Sequence, residues 1–229
     1  MASLTVEHTE SLSPRAQELL AKLASRAWTD DFYLAGSAAL ALYTGHRPVR
    51  DLDLMGGTNR LVSPDRRDVL GDLLDLAPDT EVETARDGYL FVRLQGGVGL
   101  RLYYYPYPLV DAAREHAGVE VASPLDLGLM KLGAIISRGT RRDFVDLYLL
   151  CQKLPLAELL ARAPDKFGHV GDFALQALKG LADLSEVEGE PMPQLAEPLA
   201  WETVEAWLDE SVRELGAAHV GLVEAEGAR

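Results

Sequence analysis

Hydrophobic and polar positions alternate in two distinct ways along this chain, and the change from one to the other divides it. After Ser13-Pro14, the segment RAQELLAKLASRA places Leu19, Leu20, Leu23 and Ala27 on one face at helical spacing, with a serine cap and a proline in the first turn. Residues 31–35 then read as a short strand ending at Gly36-Ser37, and residues 38–43 as a helix of strong formers. Period-two alternation predicts strands over 51–55, 81–85, 89–94 and 98–105. Between them, Gly56-Gly57-Thr58-Asn59 marks an exit loop, Ser63-Pro64 opens a helix through Leu74, and Arg86-Asp87-Gly88 and Gly96-Gly97 mark turns. The predicted strands therefore fall between about residues 31 and 105, which is the pattern of an α+β core with a small mixed β-sheet flanked by helices.

From Ser123-Pro124 onward the pattern is helical throughout. SPLDLGLMKLGAIISRG carries start and stop signals for one helix, and RRDFVDLYLLCQKL forms a second with Phe144, Leu147, Tyr148 and Leu150 inward. Further helices are expected over 155–163, 170–184 and 198–217, around the Pro- and Glu-rich stretch EVEGEPMPQLAEP. The expected organisation is thus an α+β core over 1–122 and an all-helical C-terminal region over 123–229.

The charge narrows the classes of function. A net charge of −14 excludes a protein that coats nucleic acid with a broad basic face, because such binding depends on neutralising phosphates. The imbalance is uneven, with 16 basic against 21 acidic residues in 1–150 and 6 against 15 in 151–229, so an anionic substrate belongs to the first part. No uncharged apolar run reaches the about 18 residues of a membrane helix. The N-terminus also lacks a signal core, and the expected location is the cytoplasm. Cys151 is the only cysteine, which rules out an intramolecular disulfide and assigns it to packing.

Chemistry concentrates between Gly36 and Leu54, in GSAALALYTGHRPVRDLDL. Asp51 and Asp53 are two apart on a strand and project to one face if Leu52 and Leu54 turn inward. Two adjacent carboxylates repel unless a cation lies between them, and oxygen donors with open positions suit Mg²⁺ shared with substrate phosphates. The Gly36-Ser37 turn opens a helix, whose free N–H groups and positive dipole end suit an anion. The bland alternative is a strand end whose acids pair with Arg47 and Arg50. In the same way, Lys131 can simply snorkel from an apolar helix, Asp143 and Asp146 can answer Arg138, Arg141 or Arg142, and Tyr103-Tyr104-Tyr105-Pro106-Tyr107 reads as strand packing before base stacking. His46 is left without a role.

Three blocks in order, Gly36-Ser37 with Arg47 and Asp51-Leu52-Asp53, then Lys131 in LMKLGAIISRG, then Arg142-Asp143-Phe144-Val145-Asp146-Leu147, give a resemblance to a known family. The chain resembles the AbiEii/AbiGii-type nucleotidyltransferase-like proteins, a branch of the polymerase-beta-like superfamily, over roughly residues 32–150. The resemblance implies a nucleotidyltransferase-like core in which Asp51 and Asp53 are the catalytic, Mg²⁺-holding pair and Gly36, Ser37, Arg47, Lys131, Arg138 and Asp146 contact a nucleoside triphosphate. It implies transfer of a nucleoside monophosphate to an RNA or protein hydroxyl, and a toxin role opposite a cognate antitoxin. The superfamily often carries a third carboxylate on a neighbouring strand. Here the matching strand, VGLRLYYYPYP, has none, and alternation puts Tyr103 or a neighbour in that place. Glu83 on the adjacent strand is a substitute acid, and a non-catalytic nucleotide-binding or protein-interaction module is the alternative function.

Overall fold

The computed structural model describes residues 4–94 and 96–227, with side chains described as far as residue 219. The chain divides into two compact units, Met1–Leu127 and Gly128–Arg229.

The first unit holds helices α1 (Pro14–Leu23), α2 (Gly36–Thr44) and α3 (Ser63–Leu76), and the strands β1 (Tyr33–Ala35), β2 (Leu52–Gly56), β3 (Glu81–Arg86), β4 (Tyr89–Leu94), β5 (Val98–Tyr104), β6 (Arg114–His116) and β7 (Val119–Val121). All seven strands join one sheet in the order β3-β4-β5-β2-β1-β7-β6. The pairs β2/β5 and β1/β7 are parallel and the rest antiparallel, so the sheet is mixed as expected but larger. Leu34, Leu52, Leu54, Leu90, Val92, Leu100 and Leu102 are fully buried, while Asp53, Met55, Tyr89, Phe91, Arg93, Arg101 and Tyr103, alternating with them on β2, β4 and β5, are half-buried. One face of this part of the sheet thus builds the core, and the other carries the polar chemistry.

Local signals account for most elements. Ser13 Oγ accepts the Ala16 N–H at 3.2 Å and caps α1, whose Ala16, Leu19, Leu20 and Leu23 are buried. Ala27, expected on that face, lies exposed beyond the helix in a 3-10 turn, because α1 stops at Leu23. In α2 every residue from Ala38 to Tyr43 is buried, as in a helix surrounded by protein, and Gly45 ends it with φ of 65°. Several strand boundaries differ by one or two residues from expectation: β1 begins at Tyr33, β2 runs from Leu52 to Gly56, β3 ends at Arg86 and β5 ends at Tyr104.

The hairpin β6–β7 departs from the expectation that strands end near residue 105. Its two-residue loop, Ala117-Gly118, has positive φ at both positions, 52° and 79°, the requirement of the tightest hairpin turn. An alanine there costs backbone strain and disguises a turn that asparagine or glycine would have advertised.

The second unit contains α5 (Arg141–Cys151), α6 (Leu156–Phe167), α7 (Phe173–Ala182) and α8 (Trp201–Gly227), and the division of the chain falls within α4 (Pro124–Arg138). Phe144 meets Trp201 edge-on, and Tyr148 meets Trp207 likewise, which packs α5 against α8. Burial pushes the Cys151 thiol up to about 12, so it is an inert packing residue.

Candidate active site

The β1–α2 junction and the start of β2 form one structure. Ala35 of β1 pairs with Asp53 of β2, so the first turn of α2 begins beside the Asp53 carboxylate. Gly36 makes this approach feasible. Its φ is +60°, and a Cβ there would lie 2.5 Å from Asp53 Oδ2. The α2 N-terminus has no side-chain cap from Ala35, and it turns its positive dipole end toward this acidic corner. Gly36→Ala is expected to cost ~1–3 kcal/mol through strain at positive φ and to push Asp53 from its place. A thermal melt with a transfer assay would check this, and an unchanged melting temperature would contradict it.

Asp51 and Asp53 share the half-buried face of the sheet, as the i, i+2 spacing predicted. Their common partner is Arg101 of β5. Parallel pairing sets Arg101 directly across from Asp53, and its guanidinium reaches Asp51 Oδ2 at 3.1 Å and Asp53 Oδ1 at 3.4 Å. The Gly99 N–H donates to Asp51 Oδ1 at 3.0 Å. Burial disfavours the Arg101 charge, but Asp53 and Asp51 outweigh it and hold its pKa above the ordinary value. The ring of Phe91 lies under the guanidinium, 4.4 Å from its carbon to the centroid.

This register corrects two expectations. The residue facing Asp53 is Arg101, whereas Tyr103 faces Met55 two positions further along. Burial first, then the Asp53 charge, raise the Tyr103 pKa, and its ring packs on Tyr89 at 5.0 Å, so it supplies no base. Glu83 lies on β3, three strand spacings from β2, or about 14 Å. It is bound there to Arg93 at 2.9 Å, which removes it as a substitute acid. The sequence alone gives Arg101 no role, because the β2/β5 register cannot be read from either strand alone.

Ser37 lies in the first turn of α2, and Arg47 is buried in the loop leading to Asp51. His46 beside it is buried and hydrogen-bonded with Thr44 Oγ1 at 2.6 Å, a structural arrangement.

In the second unit, Lys131 of α4 is buried and reaches Asp143 Oδ1 at 2.8 Å and Asp146 Oδ2 at 2.7 Å on α5. The carboxylates therefore answer this lysine, where arginine partners were weighed from sequence. Asp143 also closes a capping box with Thr140, accepting both its N–H and its hydroxyl. Burial opposes the charges of Lys131 and Asp143, yet the ion pairing prevails, holding the lysine above its usual value and the carboxyl below. Arg138 is exposed at the end of α4, two turns or about 10 Å beyond Lys131, and does not join the cluster.

A family model described as "Nucleotidyl transferase AbiEii toxin, Type IV TA system" matches residues 18–210. The chain belongs to the AbiEii family of nucleotidyltransferase toxins. An uncharacterized protein of Aquifex aeolicus (strain VF5), aq_aa25, is 29% identical over 207 residues, which span 89% of this chain and 97% of the relative. Among solved structures, JHP933 of Helicobacter pylori is similar at a TM-score of 0.55 and 18% identity, covering 95% of this chain and 98% of that one. A further H. pylori protein, described as a candidate nucleotidyltransferase, is similar at 0.56 and 19%, covering 92% and 98%. At these identities the two structures speak to the fold, and they share it across nearly the whole AbiEii-family chain.

No described helix is long and apolar enough to cross a membrane. Among the described residues no group of three or more His, Cys, Asp or Glu gathers as a metal cage. The Asp pair nevertheless fits a divalent ion. Both carboxylates already aim at one cationic group, and Mg²⁺ is commonly held by one or two carboxylates with substrate phosphates completing its shell.

Proposed function

We propose that this chain is a Mg²⁺-dependent nucleotidyltransferase that moves a nucleoside monophosphate from a nucleoside triphosphate to an RNA or protein hydroxyl. In this reading it acts in the cytoplasm as the toxin of a pair, restrained by a cognate antitoxin. The observation that carries the reading is the convergence of Asp51 and Asp53 beside the uncapped N-terminus of α2, with Gly36 packed on Asp53. Asp51 and Asp53 would hold the metal, which when bound would neutralise charge on the transferred phosphate and the leaving oxygen. Gly36 and Ser37 would offer first-turn N–H groups to the triphosphate, and Arg47 would add positive charge nearby. The acceptor oxygen would form a bond to the α-phosphorus as the bond to the β-phosphate oxygen breaks. Pyrophosphate leaves, and the hydroxyl proton passes to water. Lys131, Arg138 and Asp146 remain proposed nucleotide contacts on the family resemblance alone.

A second reading is favoured by one observation. Arg101, a cation, faces Asp53 on the strand where the family resemblance implies a third carboxylate, a charge that favours binding nucleotide without turning it over. Incubating the protein with each α-labelled nucleoside triphosphate, Mg²⁺, and RNA or protein acceptors separates the two. Labelled RNA or protein is the expected product, whereas tight nucleotide binding with no transfer to any acceptor would establish the binding module.

A further inference from the structure

Arg101 is the cation already seated at the Asp pair. Its guanidinium spans Asp51 Oδ2 and Asp53 Oδ1, and Phe91 supports it from below. It is also within reach of solvent, with 27% of its side chain exposed. A divalent ion entering alone would meet a carboxylate pair already half-neutralised by Arg101 and would bring two positive charges beside a third. A triphosphate reverses that balance, because its oxygens attract the guanidinium away from the carboxylates and accept it bidentately.

We infer that Arg101 acts as a resident counter-ion that suppresses binding of free divalent metal at Asp51 and Asp53 and yields the pair only when a triphosphate takes over its guanidinium. This rests on the reading of Asp51 and Asp53 as the metal-and-triphosphate site, and it goes further by making metal entry conditional on the nucleotide. Arg101 then has two partners in turn, the Asp pair in the resting protein and phosphate oxygens in the loaded one. The reciprocity of linked binding requires that triphosphate and metal strengthen each other's affinity by the same factor.

The test is Mn²⁺ binding followed by paramagnetic resonance, with and without each of the four α,β-methylene ribonucleoside triphosphates in turn. The wild type should bind free Mn²⁺ weakly, and at least one triphosphate should tighten it about tenfold or more. Arg101→Met should bind free Mn²⁺ at least about tenfold more tightly than the wild type and lose most of the gain from triphosphate. Phe91→Leu, which only removes the support under the guanidinium, should shift affinity the same way by a smaller factor, and it serves if Arg101→Met fails to fold. Asp53→Asn should remove the binding in every case. If Arg101→Met and Phe91→Leu bind free Mn²⁺ no more tightly than the wild type while Asp53→Asn still abolishes binding, the counter-ion role is overturned and the metal site stands. If no Asp53-dependent Mn²⁺ binding occurs even with triphosphate, the underlying site reading fails and this inference fails with it.

Discussion

Asp53→Asn is expected to reduce nucleotidyl transfer at least about 100-fold while the protein stays folded. The substitution preserves shape and removes the charge on which metal binding and phosphate stabilisation would depend. Its structural cost is small for a specific reason. Asp53 and Arg101 are both partly exposed, at 22% and 27% of their side chains, and an asparagine oxygen can still accept from the guanidinium. The change in stability should therefore stay within ~1 kcal/mol, the range of a solvent-screened pair. Asp51→Asn should lose activity comparably but melt lower, because Asp51 accepts the Gly99 N–H on one oxygen and Arg101 on the other. An amide can present an acceptor to only one of them and must turn its NH₂ toward the other donor. Transfer assays and thermal melts on both variants check the pattern. A fully active Asp53→Asn protein would remove the Asp pair from the mechanism.

The polar face that presents these acids was legible because a strand has a period of two. Leu52 and Leu54 are fully buried and Asp53 and Met55 half-buried, as alternation in LDLM requires. The helix start at Ser13-Pro14 was legible because Ser13 caps α1, and the one at Ser63-Pro64 because proline suits a first turn, although Val62 rather than Ser63 is the N-cap of α3. What escaped the sequence is what depends on register between distant segments. Arg101 lies 48 positions from Asp53, and only parallel pairing of β2 with β5 brings them opposite. The family resemblance implies an acid in that place, and its occupant has the opposite charge. The same limit explains Glu83, which seemed adjacent in the order of the chain but sits at the far edge of the sheet. Asp143 and Asp146 failed for a milder reason: nearby arginines offered themselves as partners along the sequence, while the true partner is 12 residues upstream of Asp143. The β6–β7 hairpin was missed because Ala117 occupies a position that turn chemistry reserves for more permissive residues.

Lys131→Met is expected to produce the largest loss of stability of any single change at these sites, ~3–5 kcal/mol, because it strands buried carboxylates without their cation. Asp146 is fully buried and Asp143 partly so, with 18% of its side chain exposed, and Lys131 Nζ lies within 2.8 Å of an oxygen of each. The size of that loss measures unpaired charge more than the net worth of the cluster. Adding Asp146→Asn to Lys131→Met should therefore recover a substantial part of it, leaving Asp143 to its capping box with Thr140. This double variant also separates architecture from nucleotide binding. If it folds yet fails to bind nucleotide, Lys131 or Asp146 serves the site as well as the fold. The pH dependence carries an independent signature. The lowered pKa of Asp143 contributes stability that is present above its ordinary value of 3.8 and is lost as pH falls through the lowered one. The raised pKa of Lys131 contributes stability that is fully present below 10.5 and is lost as pH rises through the raised value. The advantage of the wild type over the double variant, measured by denaturant unfolding across pH, should be level between about pH 4 and 10 and shrink on both sides. A difference that varies through neutrality would mean that the lysine and its carboxylates are not charged together in the folded protein.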